Sequence, residues 1–198
     1  MDRRTLLLKT LAWAGTAGLA AGCGESKPQF KSVDITGVNY GKGVQLPDPS
    51  GKVRTLDEFR GKAVVVFFGY TQCPDVCPTT MLEVAQAKKL LGPDGDKVQG
   101  VFVTVDPERD TPEVLAAYVK NFDPTFVALR GTPEQTAAAA KEFKVYYKKN
   151  ESKSAGVYTM DHSAASFVFD PQGKLRLYTR YGMGAESLAG DLKLLLKS

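Results

Sequence analysis

The stretch Ala63-Val64-Val65-Val66-Phe67-Phe68-Gly69-Tyr70-Thr71-Gln72-Cys73-Pro74-Asp75-Val76-Cys77-Pro78 decides the reading of this chain. Its first seven residues form an unbroken β-branched and aromatic run. A run apolar on both faces marks a strand buried between two layers. A short segment of turn formers follows, with Cys73 and Cys77 four residues apart. A helical pattern then runs from about Pro78 to Leu91. If that helix starts near Cys77, the intervening turn brings both sulfurs to one side. It also sets a thiol at the positive end of the helix dipole, which favours thiolate over thiol. The thiolate is the nucleophile of disulfide exchange and the form that binds soft metals. The placement therefore suits redox chemistry and metal binding alike. A structural disulfide across so short a loop would remove little entropy from the unfolded chain, so a simple staple is the weaker alternative.

Outward from this stretch, strand and helix patterns alternate. Val98 to Val105 is a second buried strand. Thr111-Pro112-Glu113 opens a helix, with Thr as N-cap and Pro at the first helical position. Thr132-Pro133-Glu134-Gln135 opens another, with Gln135 placed for a capping box. Val44 to Leu46 and Lys52 to Leu56 flank the turn Asp48-Pro49-Ser50-Gly51 and form a leading hairpin. Val145 to Lys148 reads as a short strand, and Lys149 to Gly156 as an exposed polar loop. Ser166 to Phe169 and Lys174 to Tyr181 form a terminal hairpin about Asp170-Pro171-Gln172-Gly173. Glu186 to Lys197 is a last amphipathic helix. This order predicts an α/β sandwich: a central mixed sheet flanked by helices, with an N-terminal hairpin.

Composition narrows the function classes. The 198 residues are 43% apolar, 24% charged and 10% aromatic, which is ordinary for a globular chain. Lys plus Arg number 26 against 22 Asp plus Glu, with no run of like charge, which argues against nucleic acid. Three cysteines and one histidine exclude a disulfide-dense scaffold.

Residues 1–22 read as an export segment. Arg3 and Arg4 precede an apolar stretch of about 11 residues from Leu11 to Ala21, short of the roughly 20 that a spanning helix needs. Arg3-Arg4-Thr5-Leu6-Leu7-Leu8-Lys9 resembles a twin-arginine signal; a Sec signal beginning with two arginines is the alternative. Leu19-Ala20-Ala21-Gly22-Cys23 resembles a lipobox. Cys23 is then the lipidated N-terminus and residues 23–32 a linker, with the folded domain spanning 33–198. The expected location is the periplasmic side of a bacterial membrane, an oxidising compartment. A plain signal peptide with an idle cysteine is the alternative.

His162, the only histidine, stands in Met160-Asp161-His162-Ser163, just before the terminal hairpin. In thioredoxin-like chains the segment entering this hairpin runs beside the cysteine loop and carries a cis-proline. Here Ala164-Ala165-Ser166 has no proline, and a histidine stands close by. Two thiolates and one imidazole make a soft, low-coordinate ligand set. Cu(I) prefers thiolates and suits it best; zinc usually takes four ligands and stays open. Binding needs neutral imidazole, so affinity should fall in acid. The loop Lys149 to Gly156 would let His162 swing on and off the ion. A peroxidatic site has Thr three residues before its cysteine, whereas Thr71 is two before Cys73, so a thiol peroxidase is a weak reading.

The run Phe67 to Pro78 resembles the Sco/SenC family of copper-binding, thioredoxin-like proteins. So do Val105-Asp106-Pro107-Glu108-Arg109-Asp110-Thr111-Pro112, and Asp161-His162-Ser163 followed by Phe169-Asp170-Pro171-Gln172-Gly173. These motifs keep family order over about residues 44–197. The resemblance implies a thioredoxin-like fold. It implies copper, chiefly Cu(I) with Cu(II) kept open, on Cys73, Cys77 and His162. It also implies a partner, the CuA-bearing subunit of cytochrome c oxidase, with a second periplasmic copper chaperone or a thiol reductant upstream. Members donate copper to the CuA site or reduce its cysteines. A chaperone is therefore expected before an enzyme, and any enzymatic role would be that of a thiol–disulfide oxidoreductase in which Cys73 and Cys77 are the redox pair. One departure is Gln72, where many members have histidine.

Overall fold

All seven residues of Ala63–Gly69 are buried, and so are all seven of Val98–Thr104. Two such strands are satisfied side by side in the middle of a sheet covered on both faces. In the computed structural model, which describes residues 28–152 and 157–197, that is where they lie. In chain order the strands are β1 (Val33–Asp34), β2 (Gln45–Pro47), β3 (Val53–Thr55), β4 (Ala63–Gly69), β5 (Val98–Thr104), β6 (Val127–Leu129), β7 (Tyr147–Glu151), β8 (Tyr158–His162), β9 (Ser166–Phe169) and β10 (Leu175–Thr179). The helices are α1 (Val76–Leu90), α2 (Pro112–Lys120), α3 (Pro133–Glu142) and α4 (Ala185–Leu195).

The main sheet has the order β1-β10-β9-β4-β5-β6. β4, β5 and β6 are parallel, while β9 and β10 add to the other side of β4 in antiparallel fashion. The sheet is therefore mixed and the architecture is the thioredoxin-like sandwich, with β2 and β3 as the leading hairpin. Phe67, Phe68, Phe102, Phe143 and Phe169 fill the core beside Met81 of α1 and Leu192 of α4.

The caps lie where their residues predict. Thr111 accepts a hydrogen bond from the N–H of Val114 at 3.3 Å. Thr132 and Gln135 satisfy each other's backbone N–H groups as a capping box. Helix α1 begins at Val76, two residues before the expected Pro78. The first four N–H groups of a helix have no intrahelical partner, so a proline at its third position loses no bond.

Three strands go beyond the sequence reading. β6 adds three residues at one edge of the sheet, and β1 adds two at the other. β8 pairs with β7 as a separate hairpin in the register Tyr147↔His162 through Glu151↔Tyr158. Residues 149–151, expected in a loop, are therefore strand. At the chain's opposite end, buried Asp191 of α4 accepts the N–H groups of Lys31 and Ser32 at 2.7 Å each. The expected export segment and Cys23 lie outside the described residues. Among those described, no helix is long and apolar enough to cross a membrane.

Candidate metal centre

β4 delivers the chain to the site at Gly69. A Cβ there would lie 2.7 Å from Cys77 Sγ and 2.8 Å from Phe67 Cε1. Only glycine lets the strand end approach the sulfur so closely. Cys77 occupies the first turn of α1 and is completely buried. Cys73 lies half-buried at the lip of the loop, with its N–H bonded to Tyr70 O at 3.3 Å. Neither is in a disulfide.

The two thiols have opposite tendencies. A hydrogen bond from the Cys77 thiol lowers Cys73 to about 4, helped by the backbone N–H groups of Asp75 and Cys77, against a contrary effect of burial. Burial pushes Cys77 well above the ordinary thiol range, and the charge on Cys73 adds to this. The pair thus shares one proton and titrates as a unit: a thiolate at the lip and a thiol beneath it. The helix start expected to favour thiolate does so for Cys73, which faces its N–H groups, rather than for Cys77 within it.

His162 closes β8. Its Nε2 is 3.3 Å from Cys77 Sγ, and its Nδ1 lies 2.9 Å from Ser163 O. Donation from Nδ1–H to that carbonyl leaves the Nε2 lone pair facing the sulfurs, the arrangement common among histidine metal ligands. Phe67 and Tyr70 pack edge-on against the ring, each with centroids 5.8 Å away. The two Sγ atoms and one imidazole nitrogen all lie within 4.8 Å of one another. Such a group can hold a metal ion, and two sulfurs to one nitrogen make it soft.

The setting of His162 corrects one expectation. It is not carried on a free loop from Lys149 to Gly156 but stands at the base of a paired hairpin. Ser163 N–H donates to Tyr146 O at 2.9 Å and Tyr146 N–H to Ser163 Oγ at 3.0 Å, closing that base. No cis peptide precedes β9 among the described residues, in line with the missing proline.

Three acidic residues frame the site. Asp75, at the helix N-cap, makes no capping bond from its side chain and instead accepts from Tyr181 Oη at 3.2 Å. Asp106 accepts from Arg109 Nε at 2.5 Å and Tyr158 Oη at 2.7 Å. Asp110, buried, accepts from Thr71 Oγ1 at 2.6 Å and Thr104 Oγ1 at 2.5 Å, which ties the cysteine loop to β5. Burial pushes its carboxyl up, against the opposing effect of those bonds. The sequence reading gave Asp110 and Arg109 no role. Two carboxylates flanking one arginine just after a buried strand were the available signal.

The profile of the family described as SCO1/SenC matches residues 35–197. The chain belongs to the SCO1/SenC family. Among SCO relatives it is 33% identical to the mitochondrial SCO2 homolog of Bos taurus, over 96% of this chain and 74% of that protein. The SCO fold recurs in ScoI of Bradyrhizobium japonicum, solved with copper bound, at 40% identity and a TM-score of 0.70. That match covers 77% of this chain and 97% of ScoI. Apo Sco1 from Thermus thermophilus is 38% identical with a TM-score of 0.75, covering 86% and 99% of the two chains.

Proposed function

We propose that this SCO1/SenC protein is a membrane-tethered copper metallochaperone that assists assembly of the CuA centre of cytochrome c oxidase. Convergence of Cys73 Sγ, Cys77 Sγ and an imidazole nitrogen of His162 within 4.8 Å carries the reading. The copper-bound state of the related ScoI supports it. The cargo is Cu(I), held by those three residues. Cys73, charged and half-exposed, meets the ion first. Cys77 binds by giving up its proton, so loading releases protons and weakens in acid. Cys73 is also the ligand that a cysteine of the acceptor can reach, so transfer proceeds by stepwise thiolate exchange. Lipid on Cys23 would hold the domain at the periplasmic face, with the residues between Cys23 and Phe30 as linker, since Lys31 and Ser32 are already tied to α4.

Anaerobic loading with Cu(I) at pH 7 is expected to give one ion per chain. Full retention of affinity in His162→Ala would overturn the ligand assignment. Replacing Cys23 by Ala should move the protein from the membrane fraction to the soluble one; a protein that stays in the membrane would exclude the lipid tether.

A second reading rests on the proton shared between the thiols. A thiolate at Cys73 with a protonated Cys77 behind it is the arrangement of an attacking and a resolving cysteine. Cys73 would attack a disulfide of the CuA subunit and form a mixed disulfide. Cys77 would then displace the substrate thiol, leaving Cys73–Cys77 oxidised and the two CuA cysteines reduced. Incubating the apo CuA domain with copper-loaded protein, or with reduced metal-free protein, separates the two readings by which one matures the centre.

A further inference from the structure

We propose that Arg109 is the positioning residue of the His162 side of the metal centre. It clasps the β7–β8 hairpin to the cysteine loop. The proposal rests on the reading of Cys73, Cys77 and His162 as one copper site. The hairpin shares no strand pairing with the main sheet. None of the residues of β7 is buried, and Met160 alone is buried in β8. Its apolar seat is therefore small, made by Met160, the half-buried Tyr147 and Tyr158 and the edge-on contacts of His162 with Phe67 and Tyr70, so polar contacts take a large share in orienting it.

Arg109 supplies them from a single guanidinium. Nη1 donates to the Tyr158 carbonyl at 2.8 Å and to Gln72 Oε1 at 3.2 Å. Nε donates to Asp106. The guanidinium carbon lies 3.5 Å from the centroid of the Tyr158 ring. Tyr158 Oη returns a hydrogen bond to Asp106 Oδ1 at 2.7 Å, closing the ring of contacts. Tyr158 is the first residue of β8 and His162 is the last. Gln72 precedes Cys73 directly. Arg109 thus touches the hairpin at the start of the histidine strand and the loop beside the first cysteine. The Asp106–Arg109 pair is well shielded, with side chains 3% and 19% exposed. Its loop is itself tied to the cysteine segment through Asp110 and Thr71. Only a flat, forked cation can stack on a ring while donating in two directions, so lysine cannot replace it. The neighbouring Lys149–Glu108 pair is more exposed and contributes little to the seat.

Two measurements test this. Amide hydrogen exchange of the metal-free protein should show faster exchange at residues 147–151 and 158–162 in Arg109→Leu and Arg109→Lys, by about tenfold or more, with β4 and β5 unchanged. In the Cu(I)-loaded protein, capture of the metal by a competing chelator should be about 10-fold to 100-fold faster in Arg109→Leu, the range for groups that orient a metal ligand. In a His162→Ala background, Arg109→Leu should add nothing, because its effect passes through the imidazole. Unchanged exchange in the hairpin would overturn the proposal, as would equal loosening of β4 and β5, or a chelator effect that persists without His162. If Arg109→Leu does not fold, Tyr158→Leu removes the same stack from the hairpin side and carries the same expectations. A wild-type protein that binds no copper would end the chaperone reading, while the exchange experiment would still decide whether Arg109 holds the hairpin.

Discussion

Cys77 stands beside the end of a strand in which every residue is buried, whereas His162 closes a hairpin whose β8 buries Met160 alone. The group of Cys73, Cys77 and His162, which we propose holds copper, therefore draws on two different structural sources. On the cysteine side, position is inherited from the core: Gly69, Phe67 and the first turn of α1 leave Cys77 Sγ one place to be. On the histidine side, position comes from edge-on contacts with Phe67 and Tyr70, a few polar contacts and one carbonyl, that of Ser163. A site of this kind can thus be firmly prepared in one half and adjustable in the other. Under the proposed chaperone role such a division would serve release of the ion, and the half that can yield is the one seated by side chains rather than by the sheet.

This contrast can be broken first at the cysteines. Cys77→Ser should abolish stoichiometric Cu(I) binding, because one thiolate and an imidazole make a poor soft site; titration against a chelator of known affinity checks it. Next is the support beneath. Phe67→Ala removes a fully buried ring and should lower stability by about 3–5 kcal/mol, read from urea unfolding. His162→Ala should behave the opposite way. It should weaken Cu(I) binding on the order of 100-fold or more and lower the stability of the apo protein far less than Phe67→Ala, since the imidazole is half-buried and meets the core only edge-on.

The proton shared by the thiols makes the cysteine half sensitive to pH. The folded-state value of Cys73, about 4, lies below its ordinary 9.0. Its thiolate therefore stabilises the fold above the unfolded value, and that contribution fades as pH falls towards 4. For the same reason alkylation of Cys73 should be nearly flat between pH 6 and 8, where an ordinary thiol changes roughly 80-fold. A rate that climbs like that of a free thiol would show that Cys77 does not stabilise the charge. The smallest effect is expected farthest from the site. Thr132→Ala removes the cap of α3 and should cost about 1 kcal/mol without touching metal affinity.

Much of this was legible in the sequence, and the reasons are local. β4 and β5 announce themselves as apolar runs, the helix starts by their Thr-Pro pairs, and the cysteine loop by its place between strand and helix. β6 and β1 are three and two residues long, too short to show a period. β8 reads Tyr158-Thr159-Met160-Asp161-His162, which is polar because most of it stays in water, so hydrophobicity could not separate it from a loop. The start of α1 was placed late because proline marks a first turn without saying which residue of that turn it is. Arg109 was invisible as a clasp because its partners lie 37 and 49 residues away.

The strand order has a bearing on timing. β4 has β5 on one side, made soon after it, and β9 on the other, whose residues come almost a hundred positions later. The histidine hairpin belongs to that same late portion, and Asp191, which pins Lys31 and Ser32, arrives later still. A chain emerging from the ribosome carries both cysteines long before it carries anything to set them against. Such long-range pairing is formed late and as a unit. The grouping of Cys73, Cys77 and His162 therefore first exists when the hairpin has docked beside the cysteine loop, and a half-made chain has only the two thiols.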